Sequence, residues 1–305
     1  MAYHDPGSAD PLSLSGVIPP TVTAFRDDEA VDYDRTAAHA RFVVDRGVHG
    51  VFPLGTNGEF PLLSDSERDR VIEAVVDEVG GEVPVIAGVG APSTHRTVAH
   101  AEHAERVGAD GVVVVTPYYY PLEGDAAVEH YRAVAEAVSL PVYVYHIPGR
   151  TGNALSLETF DEIADLDAVA GMKDSSKDVP WLLQAADVHP ELTYLVGSDA
   201  LLVTGLQAGC SGAVSAVANA VPELVVELYE AYDDGDVDRA RDLQRTVFAV
   251  RDAFKSGGSY MAGVKSALQL REFDVGPLRS PLRRMDEDEL ATLRDELEDL
   301  ELLSS

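Results

Sequence analysis

The sequence contains very little cysteine and lysine, and it has no long apolar run. Its single cysteine, Cys210, excludes an internal disulfide and is typical of proteins from a reducing cytoplasm. No stretch approaches the roughly 18 consecutive apolar residues that a membrane-spanning helix needs. No basic segment followed by an apolar one opens the chain, as a secretion signal would. We therefore expect a soluble, cytoplasmic protein that does not bind membranes.

Basic charge is scarce as well. The 305 residues include 53 acidic side chains against 23 lysines and arginines, which gives a formal net charge of −30 at pH 7. Such a chain has no basic surface that could neutralise phosphates along a duplex, and this excludes nucleic acid as a partner. The acidic residues are spread along the whole chain rather than held in one tail. We interpret this distribution as a surface adapted to high salt, where screening removes the self-repulsion.

What the sequence does contain is a regular alternation of β-rich runs and helical patterns. The β-rich runs lie at residues 17–24, 50–53, 83–88, 111–116, 141–146, 169–174, 193–197 and 212–215. The helical patterns between them include residues 34–46, 65–79, 93–107, 125–138 and 178–188. Strands that alternate with helices indicate parallel βαβ units. The count of eight favours a closed (β/α)8 TIM barrel over an open doubly wound sheet.

The last part of the chain changes character. Helical patterns at residues 223–232, 237–255, 261–270 and 286–300 follow one another without strands between them. We therefore predict an α/β protein in three parts. These are a flexible tail at residues 1–13, a (β/α)8 barrel catalytic domain at 14–220, and a C-terminal helical bundle at 221–305.

One lysine lies at a chemically informative position. Lys173 stands near the end of the predicted strand 169–174, and it is one of four lysines among the 23 basic residues. A buried amine readily loses its proton, whereas a guanidinium stays charged. The functional hypothesis is a Schiff-base nucleophile that attacks a carbonyl substrate. The alternative is a structural lysine that caps the strand end and pairs with Asp174.

In a TIM barrel the chemistry lies at the carboxyl ends of the strands, and two further strand ends carry polar or aromatic side chains. After the run 50–53, Thr56 and Asn57 stand between two glycines. Exposed backbone N–H groups there suit a carboxylate, although a tight turn would have the same composition. After the run 111–116, three tyrosines lie between two prolines, which is more typical of a binding or interface loop than of a core.

The fifth predicted strand carries tyrosine at alternate positions. Period-two alternation puts Tyr143 and Tyr145 on one face and the valines on the other. If the valines face the helices, Tyr145 points into the barrel beside Lys173, and a phenol beside a desolvated amine can carry protons. Arg150, just beyond, can hold an anionic substrate group with two hydrogen bonds.

Four motifs together resemble a known superfamily. They are Gly55-Thr-Asn-Gly-Glu59, Thr116-Pro-Tyr-Tyr119, Tyr145-x-x-Pro-x-Arg-Thr-Gly152 and Gly171-x-Lys-Asp174. The set resembles the pyruvate-dependent class I aldolases of the dihydrodipicolinate synthase / N-acetylneuraminate lyase superfamily, in order and spacing from about residue 17 to beyond residue 280. The resemblance implies a TIM barrel with a C-terminal helical bundle and a homotetramer of two tight dimers. It also implies a lyase without a cofactor, in which a 2-oxo acid forms a covalent imine with the enzyme.

The resemblance assigns catalytic roles to four residues. Lys173 matches the lysine that forms the imine with pyruvate. Tyr145 matches the tyrosine that relays protons and orients the imine, and Thr56 matches the hydroxyl of that relay. Tyr119 matches the tyrosine that a neighbouring subunit inserts into the site.

The same resemblance assigns the substrate contacts. Thr56 and Asn57, with the adjacent Gly55, occupy the positions that hold the pyruvate carboxylate. Ser215 lies where the last barrel strand lines the pocket. Arg150 matches the arginine that dihydrodipicolinate synthase uses for the carboxylate of its aldehyde substrate.

The departures from the synthase pattern decide the ranking of functions. Asn57 stands where the synthases usually have a second threonine or serine, and His146 and Tyr120 each replace a common asparagine. The segment 63–68 lacks the two histidines of lysine-regulated synthases, and the three consecutive tyrosines are similar to archaeal 2-keto-3-deoxygluconate aldolases.

Four functions remain open on these grounds. First is an aldolase that cleaves 2-keto-3-deoxygluconate, its 6-phosphate or a close relative to pyruvate and an aldehyde. Second is 4-hydroxy-tetrahydrodipicolinate synthase, which joins pyruvate to aspartate semialdehyde and is supported by the intact Gly149-Arg-Thr-Gly152 segment. Third, from a different class, is a non-catalytic oligomeric 2-oxo acid binding protein. Fourth is a dehydratase that acts on a sugar acid through the same imine.

No metal site is predicted. The nine histidines are scattered, and His100 and His103 lie one helical turn apart without a third ligand beside them. The single tryptophan, Trp181, is predicted to be a packing residue on its helix.

Overall fold

The computed structural model describes residue 12 and residues 14–303. The predicted flexible tail at residues 1–13 therefore lies outside the described residues, except for Leu12. Over the described part, parallel strands alternate with helices and form one curled sheet.

Seven strands form the sheet, in the order β1-β7-β6-β5-β4-β3-β2, and all neighbours are parallel. They are β1 Gly16–Val17, β2 Ile86–Gly88, β3 Gly111–Val115, β4 Val142–His146, β5 Val169–Asp174, β6 Thr193–Val196 and β7 Gly212–Ala213. Apolar runs without alternating polar residues, as in β3, suit strands that are covered on both faces.

The eighth strand position is occupied by a segment that is not a regular strand. The prediction of a strand at 50–53 is wrong, because only an isolated bridge between Val51 and Val85 forms there. The predicted first strand, 17–24, likewise shrinks to the two residues of β1. The cause is proline: Pro19, Pro20, Pro53 and Pro84 have no N–H with which to extend a ladder.

The same segment nevertheless closes the barrel. On one side, the backbone N–H of His49 donates to Val17 at 2.8 Å. On the other side, the N–H of Ile86 donates to Val51 at 3.0 Å. The edges formed by β1 and β2 are therefore joined through residues 49–53, and the fold is the predicted (β/α)8 barrel.

The described residues contain twelve α-helices. They are α1 Tyr33–Val44, α2 Asp65–Val79, α3 Thr94–Arg106, α4 Gly124–Ala137, α5 Pro148–Thr151, α6 Leu157–Ala164, α7 Val179–Val188, α8 Leu202–Gln207, α9 Pro222–Asp233, α10 Val237–Ala253, α11 Tyr260–Leu270 and α12 Glu287–Asp299. Local sequence fixes their starts: Ser64 and Glu67 form a capping box that begins α2 at the predicted residue. None of the described helices combines the length and the apolar character that crossing a bilayer requires.

The core is divided into two layers by the sheet. Val142 and Val144 of β4 pack in the large cluster between strands and helices. Tyr143 and Tyr145 belong to a smaller cluster together with Phe52 and Leu195. The predicted alternation along β4 is therefore confirmed, and Tyr145 points into the barrel.

The C-terminal helices are tied to the barrel by a buried ion pair. Lys265 of α11 places its Nζ 2.7 Å from Oε1 of Glu59, and both side chains are buried. The same ammonium donates to the backbone carbonyls of Thr23, at 2.7 Å, and Pro277, at 2.9 Å. Glu59 directly follows the turn that carries Thr56, so the ion pair connects α11 to that turn.

Candidate active site

Strand register brings the predicted lysine and tyrosine together. Lys173 of β5 is the register partner of Tyr145 of β4, at the carboxyl ends of the two strands. The Lys173 Nζ atom lies 3.4 Å from the centroid of the Tyr145 ring and 5.9 Å from that of Phe52. It donates to Ser175 Oγ at 3.1 Å, and Ser175 in turn donates to the carbonyl of Gly197 at 3.0 Å. The amine is therefore held by one hydroxyl and two aromatic rings.

Burial controls the protonation of this pair. Removal from water lowers the pKa of the Lys173 amine, against the raising influence of Tyr145 and of the Asp174 and Asp199 carboxylates. Burial alone would raise the pKa of Tyr145, but the adjacent Lys173 ammonium lowers that pKa below its usual value. Once the lysine is neutral, this attraction disappears and the phenol keeps its proton. A neutral amine beside a protonated phenol is the state that imine formation requires.

The Asp174 carboxylate binds away from the amine. Its Oδ1 lies 3.0 Å from Nδ1 of His146, and it also accepts from the backbone N–H and hydroxyl of Ser176. The other ring nitrogen of His146, Nε2, accepts from the N–H of Leu155 at 3.2 Å, so Nδ1 carries the proton that bonds to Asp174. The alternative of a lysine paired with Asp174 is therefore not what the geometry favours.

A short turn brings the predicted carboxylate-binding residues to the same place. Thr56–Gly58 forms a 3₁₀ turn, and Glu59 follows it with a left-handed φ of 53°. The Thr56 Oγ1 atom lies 3.2 Å from the Tyr145 hydroxyl. Asn57 is buried, and its Nδ2 donor has no hydrogen-bond partner among the described residues. A buried donor without a partner costs free energy unless a ligand satisfies it, so Asn57 is a candidate anion ligand.

These side chains line one cavity of about 380 Å³. The predicted site residues on its wall are Thr56, Asn57, Tyr145, Arg150 and Lys173. Arg150 is exposed and forms no ion pair within the part of the chain that the structure describes. The size falls in the range typical of pockets for small organic ligands.

Two of the predicted site residues, Ser215 and Gly55, do not line this cavity. Ser215 is fully buried, and its hydroxyl donates to the Asp199 carboxylate. Its neighbours Val214 and Ala216 line the cavity instead. The backbone of Gly55 packs closely on the Phe52 and Pro20 side chains, because a Cβ at residue 55 would lie 3.0 Å from both of them.

Tyr119 is not part of this cavity in a single chain. Its side chain is 83% exposed, and its φ of 85° is unusual for a residue with a Cβ. The ring contacts only its neighbour Tyr120 among the aromatic side chains of the described residues, edge to face at 5.0 Å. Such a projecting, strained tyrosine is typical of a residue held for an intermolecular contact.

Sequence reasoning missed several residues of the wall. Ser175 and Asp199 both line the cavity, as does Tyr260, whose hydroxyl donates to Asp199 Oδ2 at 2.9 Å. Period two, continued one residue beyond the end of β5, would have indicated Ser175. Tyr260 begins α11, far along the chain, and no local pattern connects it to the barrel.

Gly197 was also missed, although its position next to the lysine is restrictive. A Cβ at this residue would lie 2.1 Å from Ser175 Oγ and 3.0 Å from Lys173 Nζ. Any side chain here would displace the hydroxyl that holds the amine. Within the described residues, no group of three or more His, Cys, Asp and Glu side chains is arranged to hold a metal ion.

Sequence comparison places the chain in a family. The sequence model of the dihydrodipicolinate synthetase family matches residues 13–300. An uncharacterized DapA-like lyase of Halobacterium salinarum is 72% identical over 298 residues, which cover 98% of either chain. A 4-hydroxy-tetrahydrodipicolinate synthase of Methanopyrus kandleri is 39% identical, with 96% of this chain and 98% of that one covered.

Comparison with solved structures indicates the same family. A crystal structure of a prophage protein of the dihydrodipicolinic acid synthase family from E. coli K12, in complex with pyruvate, superimposes with a TM-score of 0.90. The identity is 32%, and the match covers 94% of this chain and 99% of that one. The predicted closeness to 2-keto-3-deoxygluconate aldolases stays a prediction. The chain is thus a lyase that belongs to the dihydrodipicolinate synthetase family.

Proposed function

We propose that the protein is a class I aldolase that cleaves a 2-keto-3-deoxy sugar acid to pyruvate and an aldehyde. The observation that carries the proposal is the buried Lys173 amine, with its lowered pKa, 3.4 Å from the Tyr145 ring and beside a cavity of about 380 Å³. That volume leaves room for a chain longer than pyruvate.

In the proposed reaction the neutral Lys173 amine attacks the C2 ketone. The Tyr145 phenol gives its proton to the hydroxyl that leaves as water, and a protonated imine remains beside the Tyr145 phenolate. The protonated imine accepts the electron pair of the C3–C4 bond while Tyr145 removes the proton from the C4 hydroxyl. The aldehyde departs, the enamine takes a proton at C3, and hydrolysis releases pyruvate. Thr56 Oγ1, 3.2 Å from the Tyr145 hydroxyl, passes the proton on, and Asn57 Nδ2 holds the C1 carboxylate together with Thr56.

Tyr119 would complete the relay from a neighbouring copy in a homotetramer of two tight dimers. Support comes from its exposure and from a second, apolar cavity of about 250 Å³ that shares Thr56 and Arg150 with the site. Phe60, Tyr118 and Ile147 line that cavity, which suits an aromatic ring.

The second candidate is 4-hydroxy-tetrahydrodipicolinate synthase. Arg150 favours it, since an exposed guanidinium on the cavity wall, without an ion pair among the described residues, suits the carboxylate of aspartate semialdehyde. The two candidates share the imine and differ in the aldehyde and in the direction of the reaction, which is cleavage in the first and condensation in the second.

A product assay distinguishes them. The enzyme is incubated with pyruvate and, separately, glyceraldehyde, glyceraldehyde 3-phosphate or aspartate semialdehyde, and the products are identified by mass spectrometry. We expect a 2-keto-3-deoxy sugar acid from a glyceraldehyde compound. Efficient formation of the dihydrodipicolinate precursor alone would establish the second candidate instead.

The imine itself is tested by borohydride reduction with pyruvate. One pyruvate-derived mass should appear on the peptide that carries Lys173, and Lys173→Arg should abolish it because a guanidinium does not form the imine. An adduct on another lysine would overturn the assignment, and no adduct at all would indicate a binding protein without this chemistry.

A further inference from the structure

We propose that the aldehyde end of the substrate carries a phosphate monoester, bound at the cavity by Lys177, Lys255 and Arg251. This inference rests on the proposed aldol cleavage and specifies its substrate class. None of the three residues takes part in the imine chemistry described above.

The first argument is the uneven distribution of charge. Three of the four lysines of the chain, Lys173, Lys177 and Lys255, line the one cavity of about 380 Å³, together with Arg150 and Arg251. Asp199 is the single acidic residue on the same wall, and its carboxylate is occupied by the hydroxyls of Ser215 and Tyr260. A chain of net charge −30 repels anions from most of its surface, so a locally cationic cavity selects and concentrates them.

The second argument is that two of these cations have donor groups without a protein partner among the described residues. Lys177 forms no ion pair within the described residues, and it adopts a left-handed φ of 68° that a lysine rarely takes. Backbone strain of this kind persists only where the surrounding structure enforces it, and it is concentrated at functional sites. The Nε donor of Arg251 is buried and has no hydrogen-bond partner in the described part of the chain. A ligand oxygen would satisfy it.

The third cation is bound only weakly by the protein. Lys255 Nζ lies 2.7 Å from Asp252 Oδ1, but both side chains are largely exposed, at 49% and 75%. Exposed ion pairs of this kind contribute little to stability, so a ligand can displace Asp252 from Lys255 at a small cost in free energy. Lys255 follows the end of α10, in the segment that also places Gly258 on the cavity wall.

The number of cations favours a phosphate over a carboxylate. One guanidinium, such as Arg150, satisfies a carboxylate with two parallel hydrogen bonds. A phosphate monoester carries close to two charges and three acceptor oxygens, and it accommodates ammonium groups and a guanidinium from different directions. Lys177, Arg251 and Lys255 come from two separate parts of the chain and supply such donors in addition to Arg150.

The kinetic test compares two substrates in one enzyme. The ratio of kcat/KM for 2-keto-3-deoxy-6-phosphogluconate to that for the unphosphorylated acid cancels any general loss of folding or of imine chemistry. The ratio should be about ten or more in the wild type. It should fall by a similar factor in the double variant Lys177→Gln/Lys255→Gln, mainly because KM for the phosphorylated acid rises. Arg294→Gln, which removes an exposed cation on α12, is the matched control and should keep the wild-type ratio.

A binding test separates this inference from the proposed function. Pyruvate is first fixed to the enzyme with borohydride, and glycerol 3-phosphate or glycerol is then titrated by calorimetry. Glycerol 3-phosphate should bind at least about tenfold more tightly than glycerol, and the double variant should lose the difference. If glycerol 3-phosphate binds no better than glycerol, or if the variant keeps the preference, the inference is overturned. If the preference is present but neither sugar acid is cleaved, the phosphate-binding site stands and the proposed aldolase function fails.

Discussion

Replacing Lys265 by methionine would test how the C-terminal helices support the turn Thr56–Gly58. Lys265→Met keeps the length of the side chain but leaves the buried Glu59 carboxylate without its partner at 2.7 Å. It also removes the donor to the carbonyls of Thr23 and Pro277. Breaking a buried ion pair by removing one partner costs about 3–5 kcal/mol, so we expect a loss of that size in the free energy of unfolding at neutral pH.

The loss should depend on pH in a defined direction. Burial raises the pKa of Glu59, and the attraction of Lys265 opposes that rise; without the lysine the pKa rises further. A carboxyl whose pKa is higher in the folded state favours folding when protonated, and this contribution is lost as the pH rises through the folded pKa. The deficit of Lys265→Met should therefore be largest near neutrality and should shrink as the pH falls toward the ordinary glutamate pKa of 4.5.

The measurement is urea unfolding followed by the fluorescence of Trp181, the single tryptophan, at fixed salt. Trp181 packs on Phe160 and His146, as its predicted packing role requires, so it reports on the barrel. Glu59→Gln in the Lys265→Met background should recover part of the loss because it removes the buried charge. Arg239→Met is the control, since its pair with Glu227 is half exposed on both sides. Equal stabilities of Lys265→Met and Arg239→Met would refute the reasoning.

Three further predictions concern residues of the proposed active site. Borohydride trapping of pyruvate in a single turnover should rise with pH to a midpoint below 10.5, because burial lowers the pKa of Lys173; a midpoint at or above that value would contradict the lowered pKa. Inactive Lys173→Ala and Tyr119→Phe subunits should regain activity when mixed and reassembled, and no recovery despite proven exchange would mean that Tyr119 serves its own site. Arg150→Ala should keep trapping and raise KM for sugar-acid cleavage. If Arg150→Ala instead impairs dihydrodipicolinate formation alone, with a loss of about 2–5 kcal/mol in transition-state binding, the result would favour the synthase.

The barrel and its reactive pair were predictable because their signals are local. Period two in β4 places Tyr145 inward, and parallel register then brings Lys173 beside it. The helix α2 begins at the predicted residue because Ser64 and Glu67 form a local cap. The strand at 50–53 was mispredicted since its apolar composition indicates β structure, while the loss of ladder donors comes from Pro53 itself and from prolines in the neighbouring segments.

The rest of the site depends on long-range packing, which no single sequence window contains. Tyr260 and Arg251 reach the cavity from helices that follow the barrel. The orientation of Asp174 toward His146 was likewise undetermined, because it depends on the pairing of β4 and β5 and on the N–H of Leu155. The roles of Tyr119 and Ser215 stay predictions that only experiment can test.

The uneven closure of the barrel has a consequence for its motions. Lys173 and Tyr145 stand on β5 and β4, whose ladder runs from Val142 to His146 with one register shift after Val142. Thr56 and Asn57 follow residues 49–53, which are not a regular strand but share six backbone hydrogen bonds with residues 17–21 on one side and 84–88 on the other. Local opening starts where few backbone hydrogen bonds must break, so amide protons near residue 51 should exchange about as slowly as those of β4 and β5. The turn with the proposed carboxylate-binding residues would then stay as rigid during binding and release as the strands that carry Lys173 and Tyr145.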